Sequence, residues 1–213
     1  AAECPLIVAG SDVVRHRAVA DLVNLADMVA CPVVSEPRSS YQPFPTTHKM
    51  AFNVPDRSLS YDLPHYGRPD VVVGIGCRLV REYRYNPQPP ITPDMKVIQF
   101  CEEPWELGKI YHVDVSAVCD AKSALVGLGE SVKELMTAER QRQAETRFEA
   151  VQKARAYFDD QLEQEASKGW GEAPIKPWRL VRDMDAVLPD DVFIVNECPT
   201  SKRFLVNHSS ITH

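Results

Sequence analysis

DVVVGIGC, residues 70–77, is apolar at nearly every position rather than at every second one. A strand buried on both faces of a parallel sheet reads this way, because neither side of the pleat faces water. Gly74, Gly76 and Arg78 close the run and predict a sharp strand-to-loop turn. Toward the amino terminus, PLIVAG (5–10) has the same character and also ends in glycine. Between the two, Val19, Leu22, Val23, Ala26, Val29 and Ala30 recur with helical spacing. That stripe predicts a helix from about Arg15 to Ala30, stopped by Pro32, with CPVVSE (31–36) as a further strand.

Residues 37–69 are rich in Pro, Ser and Tyr and lack periodicity, which predicts a long ordered excursion with one short helix. Beyond the deciding strand come a Pro-rich loop (NPQPPITP, 86–93), a fourth strand (KVIQF, 96–100) and a fifth within HVDVSAVC (112–119). Asp120 is then placed to cap a helix carrying Leu125, Leu128, Val132 and Leu135. Strands alternating with helices predict an α/β fold, a doubly wound, Rossmann-like parallel sheet. Residues 1–136 form this domain.

The segment from Thr137 to Ser167 is charged and free of Pro and Gly, with Phe148, Val151, Phe158 and Leu162 in a narrow seam that Arg155 interrupts. It predicts a long surface helix, Glu149 and Lys153 pairing across one turn, and with GWGEAPIKP (169–177) it makes 137–175 a helical linker. From 176 to 213 a second α/β domain opens with a helix (Leu180, Val181, Met184, Val187), the strand DVFIVNE (191–197) and the loop CPTS. It is expected to be incomplete here.

Composition narrows the function. Hydrophobic residues are 44% and charged residues 25% of 213, the usage of a globular protein. A net charge of -6 with scattered Lys and Arg argues against nucleic acid. No apolar run reaches the roughly 18 residues of a membrane span, and AAECPLIVAG lacks the basic stretch of a secretory signal, so a cytoplasmic setting is expected. Cys4, Cys31, Cys77, Cys101, Cys119 and Cys198 contain no CxxC pair, which predicts small buried side chains rather than bridges or a metal site. The six histidines show no metal-ligand spacing, so solvated or capping roles are expected. Gly74-x-Gly76 lacks the third glycine of a dinucleotide fingerprint and reads as a turn. A G-x-S-x-G elbow and a P-loop are absent, and residue patterns alone identify no reaction.

Four stretches, taken in order, do. PLIVAGSDVVRHRAVADLVNLADMVACPV (5–33), FPTTHKMAFNV (44–54), PDVVVGIGCRL (69–79) and KVIQFCEEPWELGKIYHVDVSAVCDAKSALVGL (96–128) resemble the middle domain of the thiamine diphosphate-dependent 2-oxo-acid decarboxylase and acetohydroxyacid synthase family. Lys49 stands where that family usually has Pro. LPDDVFIVNECPTSKRF (188–204) is similar to the opening of the family's diphosphate-binding domain, above all in benzoylformate decarboxylase and its relatives. The resemblance implies that Glu197, Pro199, Thr200 and Ser201 lie beside the cofactor, where the hydroxyls could donate to phosphate; a helix cap at Thr200 or Ser201 is the plainer alternative.

It implies a parent enzyme using thiamine diphosphate and Mg2+ on a small 2-oxo acid, decarboxylating it or ligating the acyl unit, and working as a homodimer or homotetramer. The departures matter too. The Gly-Asp-Gly motif for metal and diphosphate does not occur, and the pyrimidine-side domain with its activating Glu is not in this sequence. No catalytic residue and no metal ligand is therefore expected in 1–213, and the chain alone is expected to be inactive. Tyr83 stands where benzoylformate-specific members carry a pocket His, and Cys101 stands at the acidic position of flavin-binding members, which argues against FAD. The alternatives are a nucleotide- or flavin-binding α/β module without decarboxylase activity and an inactive structural relative.

Overall fold

A computed structural model describes residues 2–37, 39–53, 61–80, 87–189, 191–198 and 200–210. Six parallel strands form one sheet: β1 (Pro5–Ala9), β2 (Val33–Ser35), β3 (Ala51–Phe52), β4 (Val71–Ile75), β5 (Lys96–Cys101) and β6 (Val115–Val118). Their order across the sheet is β3-β2-β1-β4-β5-β6. The chain thus builds outward from β1 on one side, crosses back, and builds outward again from β4, which is the doubly wound arrangement the sequence predicts. β1 and β4 are the two strands with the most continuous apolar sequence, and they pair over their full length at the centre of the sheet, Pro5 opposite Val71 to Ala9 opposite Ile75.

Three differences from the sequence reading have physical causes. The single helix expected from about Arg15 to Ala30 is two, α1 (Ser11–Arg15) and α2 (Val19–Val29). Arg17, at φ 53°, turns the chain between them, and Ala18 N–H donates to Val13 O (2.8 Å) across the break. Periodicity survives a one-turn interruption, so the stripe conceals it. β3 lies inside the excursion that showed no period; a two-residue strand is too short to have one. The strand expected at 191–197 pairs with no neighbour among the described residues. Its alternation is real, with Val192 and Ile194 half-buried and Phe193 and Val195 exposed, but a strand needs a second chain for its N–H and C=O groups.

The excursion is tied down by its tyrosines: Tyr66 Oη donates to Pro5 O (2.6 Å) and Tyr61 Oη to Leu79 O (2.9 Å). Burial raises both phenols well above their ordinary range, so they stay neutral donors. α3 (Ala121–Leu135) packs on α2 and is capped as predicted, Ser123 N–H donating to the Asp120 carboxylate at 2.8 Å. His16 is a second cap: its Nδ1 accepts from Ala121 N–H at 3.3 Å, while Nε2 lies 2.9 Å from Glu102.

The long helix α4 (Ala138–Ser167) is more than a surface connector. Ala144, Val151 and Ala154 join the sheet's own core, and Phe158 meets Phe52 of β3 edge to face at 6.1 Å. Arg155 breaks the apolar seam because it has carbonyls to satisfy: it donates to Ala51 O (2.7 Å) and Thr46 O (3.4 Å) and pairs with Asp159 at 2.8 Å. Arg147 does the same about two turns earlier, reaching Val29 O (2.9 Å), the carbonyl at the end of α2. Two guanidinium groups thus hold α4 on backbone oxygens of α2, of β3 and of the segment before β3.

Arg155→Ala should destabilise the protein by about 1–3 kcal/mol, the range for losing charge-assisted bonds to half-buried carbonyls, whereas Arg142→Ala on the exposed face should change it by under about 0.5 kcal/mol. Urea unfolding of both variants measures this. Equal stabilities would show that α4 is held by its apolar residues alone.

Candidate functional site

In a doubly wound sheet the two strands that start opposite halves diverge at their carboxyl ends, and ligands of such folds bind in the gap. Here that gap lies between β1 and β4, and the two turns that border it are in backbone contact. Gly10 N–H donates to Ile75 O (3.0 Å), and a Cβ on Gly10 would stand 2.1 Å from Gly76 O and 2.6 Å from the Cys77 side chain. Gly76, at φ +57°, turns the chain left-handed to make that approach. The glycines expected to serve a turn do so, and they also bring the two loops into backbone contact.

The end of β2 closes the third side. Glu36 is buried, 5% exposed, and its Oε1 accepts from Arg78 N–H at 2.9 Å, tying β2 to the turn after β4. An acid at the end of the second strand is where dinucleotide folds hold a ribose hydroxyl. Here that carboxylate has a backbone partner instead. Ser11 Oγ and Ser39 Oγ share a hydrogen bond at 2.9 Å, and Ser40 N–H donates to Ser11 Oγ at 2.9 Å. On the far side Gln99, 1% exposed, donates to Cys77 O and Glu106 O (both 3.2 Å) and accepts from Gly108 N–H (3.1 Å). Cys77 is fully enclosed; burial first, and the Glu36 charge second, hold its thiol well above the usual range.

The loop of resemblance-derived residues lies elsewhere in sequence but reaches this edge. Glu197 and Thr200 are exposed and Ser201 half-buried; Pro199, and the pocket position Tyr83, lie outside the described residues. The loop is closed by two bonds, Cys198 N–H to Asn196 Oδ1 (2.8 Å) and Lys202 N–H to Cys198 O (2.9 Å). It leads into α6 (Lys202–His208), whose packing partner is α5 (Pro177–Asp185). Ser201 occupies the N-cap position, but its hydroxyl makes no capping bond, so the plainer alternative is not realised there. Lys202 Nζ donates to Ser39 O at 2.5 Å, which sets the loop's far end against the β2 edge.

Sequence reasoning did not find Lys202, Glu36 or Ser39. None sits in a motif, and the only available signal was a glutamate directly after an apolar strand. Cys198 is a correction: it was expected to be small and buried like the others, and it is exposed because its turn faces water, whereas Cys31, Cys77 and Cys101 are buried. An open groove of about 600 Å3 lies between α4, α5 and α6, lined by Gln164, Glu165, Lys168, Lys176, Trp178 and Phe204. Beside it His208 is enclosed, neither ring nitrogen hydrogen-bonded, with Glu165 3.9 Å away; burial lowers its pKa and keeps it neutral. Among the described residues no three His, Cys, Asp or Glu side chains come together as a metal site, and no helix is long and apolar enough to cross a membrane.

With this geometry in hand, residues 1–128 match the family model for the central domain of thiamine pyrophosphate enzymes. The chain belongs to that family. Relatives of thiamine pyrophosphate (diphosphate) type include a probable acetolactate synthase large subunit of Methanocaldococcus jannaschii, 27% identical over 87% of this chain and 30% of that one. Glyoxylate carboligase of Escherichia coli O157:H7 is 26% identical over 91% of this chain and 32% of its own length. Among solved structures, benzoylformate decarboxylase from Polynucleobacter necessarius superposes with a TM-score of 0.73 at 20% identity. A 4-hydroxybenzoylformate decarboxylase from Rhodococcus jostii RHA1 does so with 0.70 at 20%. Both superpositions cover 100% of this chain and 36% of the other, and at such identity they show the shared fold. The chain spans about a third of the length of these relatives.

The Thr200 side chain is exposed and the Ser201 hydroxyl caps nothing, and the Glu197 carboxylate is exposed beside them.

At pH 8 an alkylating reagent should modify Cys198 rapidly and leave Cys31, Cys77 and Cys101 untouched until the protein unfolds. Peptide mass analysis over time checks it. Early labelling of Cys77 would mean that the β1–β4 edge opens.

Proposed function

We propose that this chain serves in a thiamine diphosphate-dependent enzyme that decarboxylates a small 2-oxo acid, with joining of the acyl unit to a carbonyl acceptor as the alternative fate. The match of residues 1–128 to the family's central domain carries the reading. The order of segments supports it: the linker helix α4 and the loop 196–201 follow the central domain where a second, cofactor-facing unit would begin. Decarboxylation is supported at the level of fold by the two decarboxylase structures, and ligation by the synthase and carboligase relatives. On this reading 1–136 is the central domain, 137–175 the linker and 176–213 the start of the cofactor-binding domain. The enzyme is cytoplasmic and acts as a homodimer or homotetramer.

When bound, thiamine diphosphate supplies a nucleophilic carbon and a sink for the electrons left by departing CO2. The chain's own part is placement. The Thr200 and Ser201 hydroxyls would hold diphosphate oxygens, and Glu197 would accept from the cofactor side or from a cation. FAD is left out of this reading because Cys101, at the end of β5, stands where flavin-binding members carry an acid, and Glu36 at the end of β2 already accepts from Arg78 N–H.

The test is CO2 release from a panel of 2-oxo acids by the full-length protein. Turnover should depend on added thiamine diphosphate and Mg2+. Thr200→Ala should raise the cofactor concentration for half-maximal rate roughly tenfold, as expected for one lost bond to a charged acceptor. Turnover without the cofactor, or none on any 2-oxo acid, would refute the reading.

A further inference from the structure

We infer that Lys202 is a positioning residue, which clasps the 197–201 loop to the carboxyl edge of the central sheet and so presents it preformed to thiamine diphosphate. The inference rests on the function proposed above and adds a residue to it. Lys202 and Ser39 are 163 positions apart in sequence, yet the ammonium donates to the Ser39 carbonyl at 2.5 Å. That acceptor is not on a loose strap. Ser39 is 4% exposed, its N–H donates to Glu36 O at 3.1 Å and its hydroxyl bonds Ser11 at 2.9 Å. Glu36 in turn holds Arg78 N–H at 2.9 Å. The carbonyl is thereby fixed from the ends of β1, β2 and β4 together.

On the other side the path to the loop is equally short. Lys202 N–H donates to Cys198 O, and Cys198 N–H to Asn196 Oδ1, so Lys202, Cys198 and Asn196 are joined in one run of hydrogen bonds. The far end of α6 is held differently: Ser210 N–H donates to the Asp185 carboxylate of α5 at 2.9 Å, and Arg182 of α5 pairs with Glu163 of α4 at 2.8 Å. α6 therefore has a carboxyl end moored to α5 and an amino end moored to the sheet. Only the second mooring lies next to the loop. A cation on a backbone carbonyl, rather than an apolar contact, suits this place because it keeps its direction while the surrounding turn stays wet. Ordering such a turn in advance removes an entropy cost that the cofactor would otherwise meet on binding.

The experiment compares Lys202→Met and Lys202→Arg with the wild type in the full-length protein. Lys202→Met should raise the thiamine diphosphate concentration for half-maximal rate about tenfold, with kcat at saturating cofactor within about twofold. Lys202→Arg, which retains a cation of similar reach, should restore half-saturation to within about threefold of wild type. Hydrogen exchange of the 196–202 amides in the same samples reports the clasp itself and should quicken in Lys202→Met alone. Quickened exchange in Lys202→Met, when turnover of the wild type shows no thiamine diphosphate dependence, would leave the clasp standing and remove the functional reading. Unchanged half-saturation in Lys202→Met, or an equal loss of kcat in both variants, would overturn the inference.

Discussion

The structure turns on the close approach of two backbone turns, Gly10 after β1 and Gly76 after β4. No side chain larger than hydrogen fits at Gly10, because the Gly76 carbonyl occupies the space a Cβ would need. The approach lets Ile75 O accept from Gly10 N–H and brings the carboxyl ends of three strands to one point. The two turns make a joint, and the residues around it bond to one another: Glu36 to Arg78, Ser11 to Ser39, Gln99 to the Cys77 and Glu106 carbonyls.

A joint of that kind has a use if the neighbouring unit must be held at a fixed place. α4 leaves the sheet but remains bound to it through Arg147 and Arg155, so it carries the next unit on a rigid arm. Lys202 then returns to the sheet at Ser39. The loop 196–201 is thus positioned from two sides, by the arm behind it and by the closed edge in front. In this account the central domain contributes geometry, and the chemistry belongs to the cofactor and to residues it meets elsewhere.

Much of this was legible in the sequence where one physical effect dominated. DVVVGIGC and PLIVAG announce buried central strands because burial on both faces leaves no polar position, and Asp120 announces its helix because a capping carboxylate has a fixed offset from the amide it satisfies. The chain's 30-residue α4 was readable from charge and the lack of Pro and Gly. Arg155 looked like a flaw in the seam, since a sequence does not show which carbonyls are left without partners. β3 and the break at Arg17 were hidden by their shortness. The run DVFIVNE has the alternation of a strand but pairs with no neighbour among the described residues, which is a property of its surroundings rather than of its residues. Of the candidate loop, only the residue types came from the sequence; that Lys202 ties it to Ser39 depends on a contact between distant parts of the chain.

The closed edge is the central claim, and ligand titration tests it directly. FAD, NAD and ADP titrated separately into the protein in a calorimeter should give no heat beyond dilution, and flavin fluorescence should be unchanged, if the ties of Gly10 to Ile75 and of Glu36 to Arg78 keep the carboxyl ends of β1, β2 and β4 closed. Saturable binding of about one equivalent of any of the three, with protection of Cys77 or displacement of the Arg78 amide signal, would contradict the account.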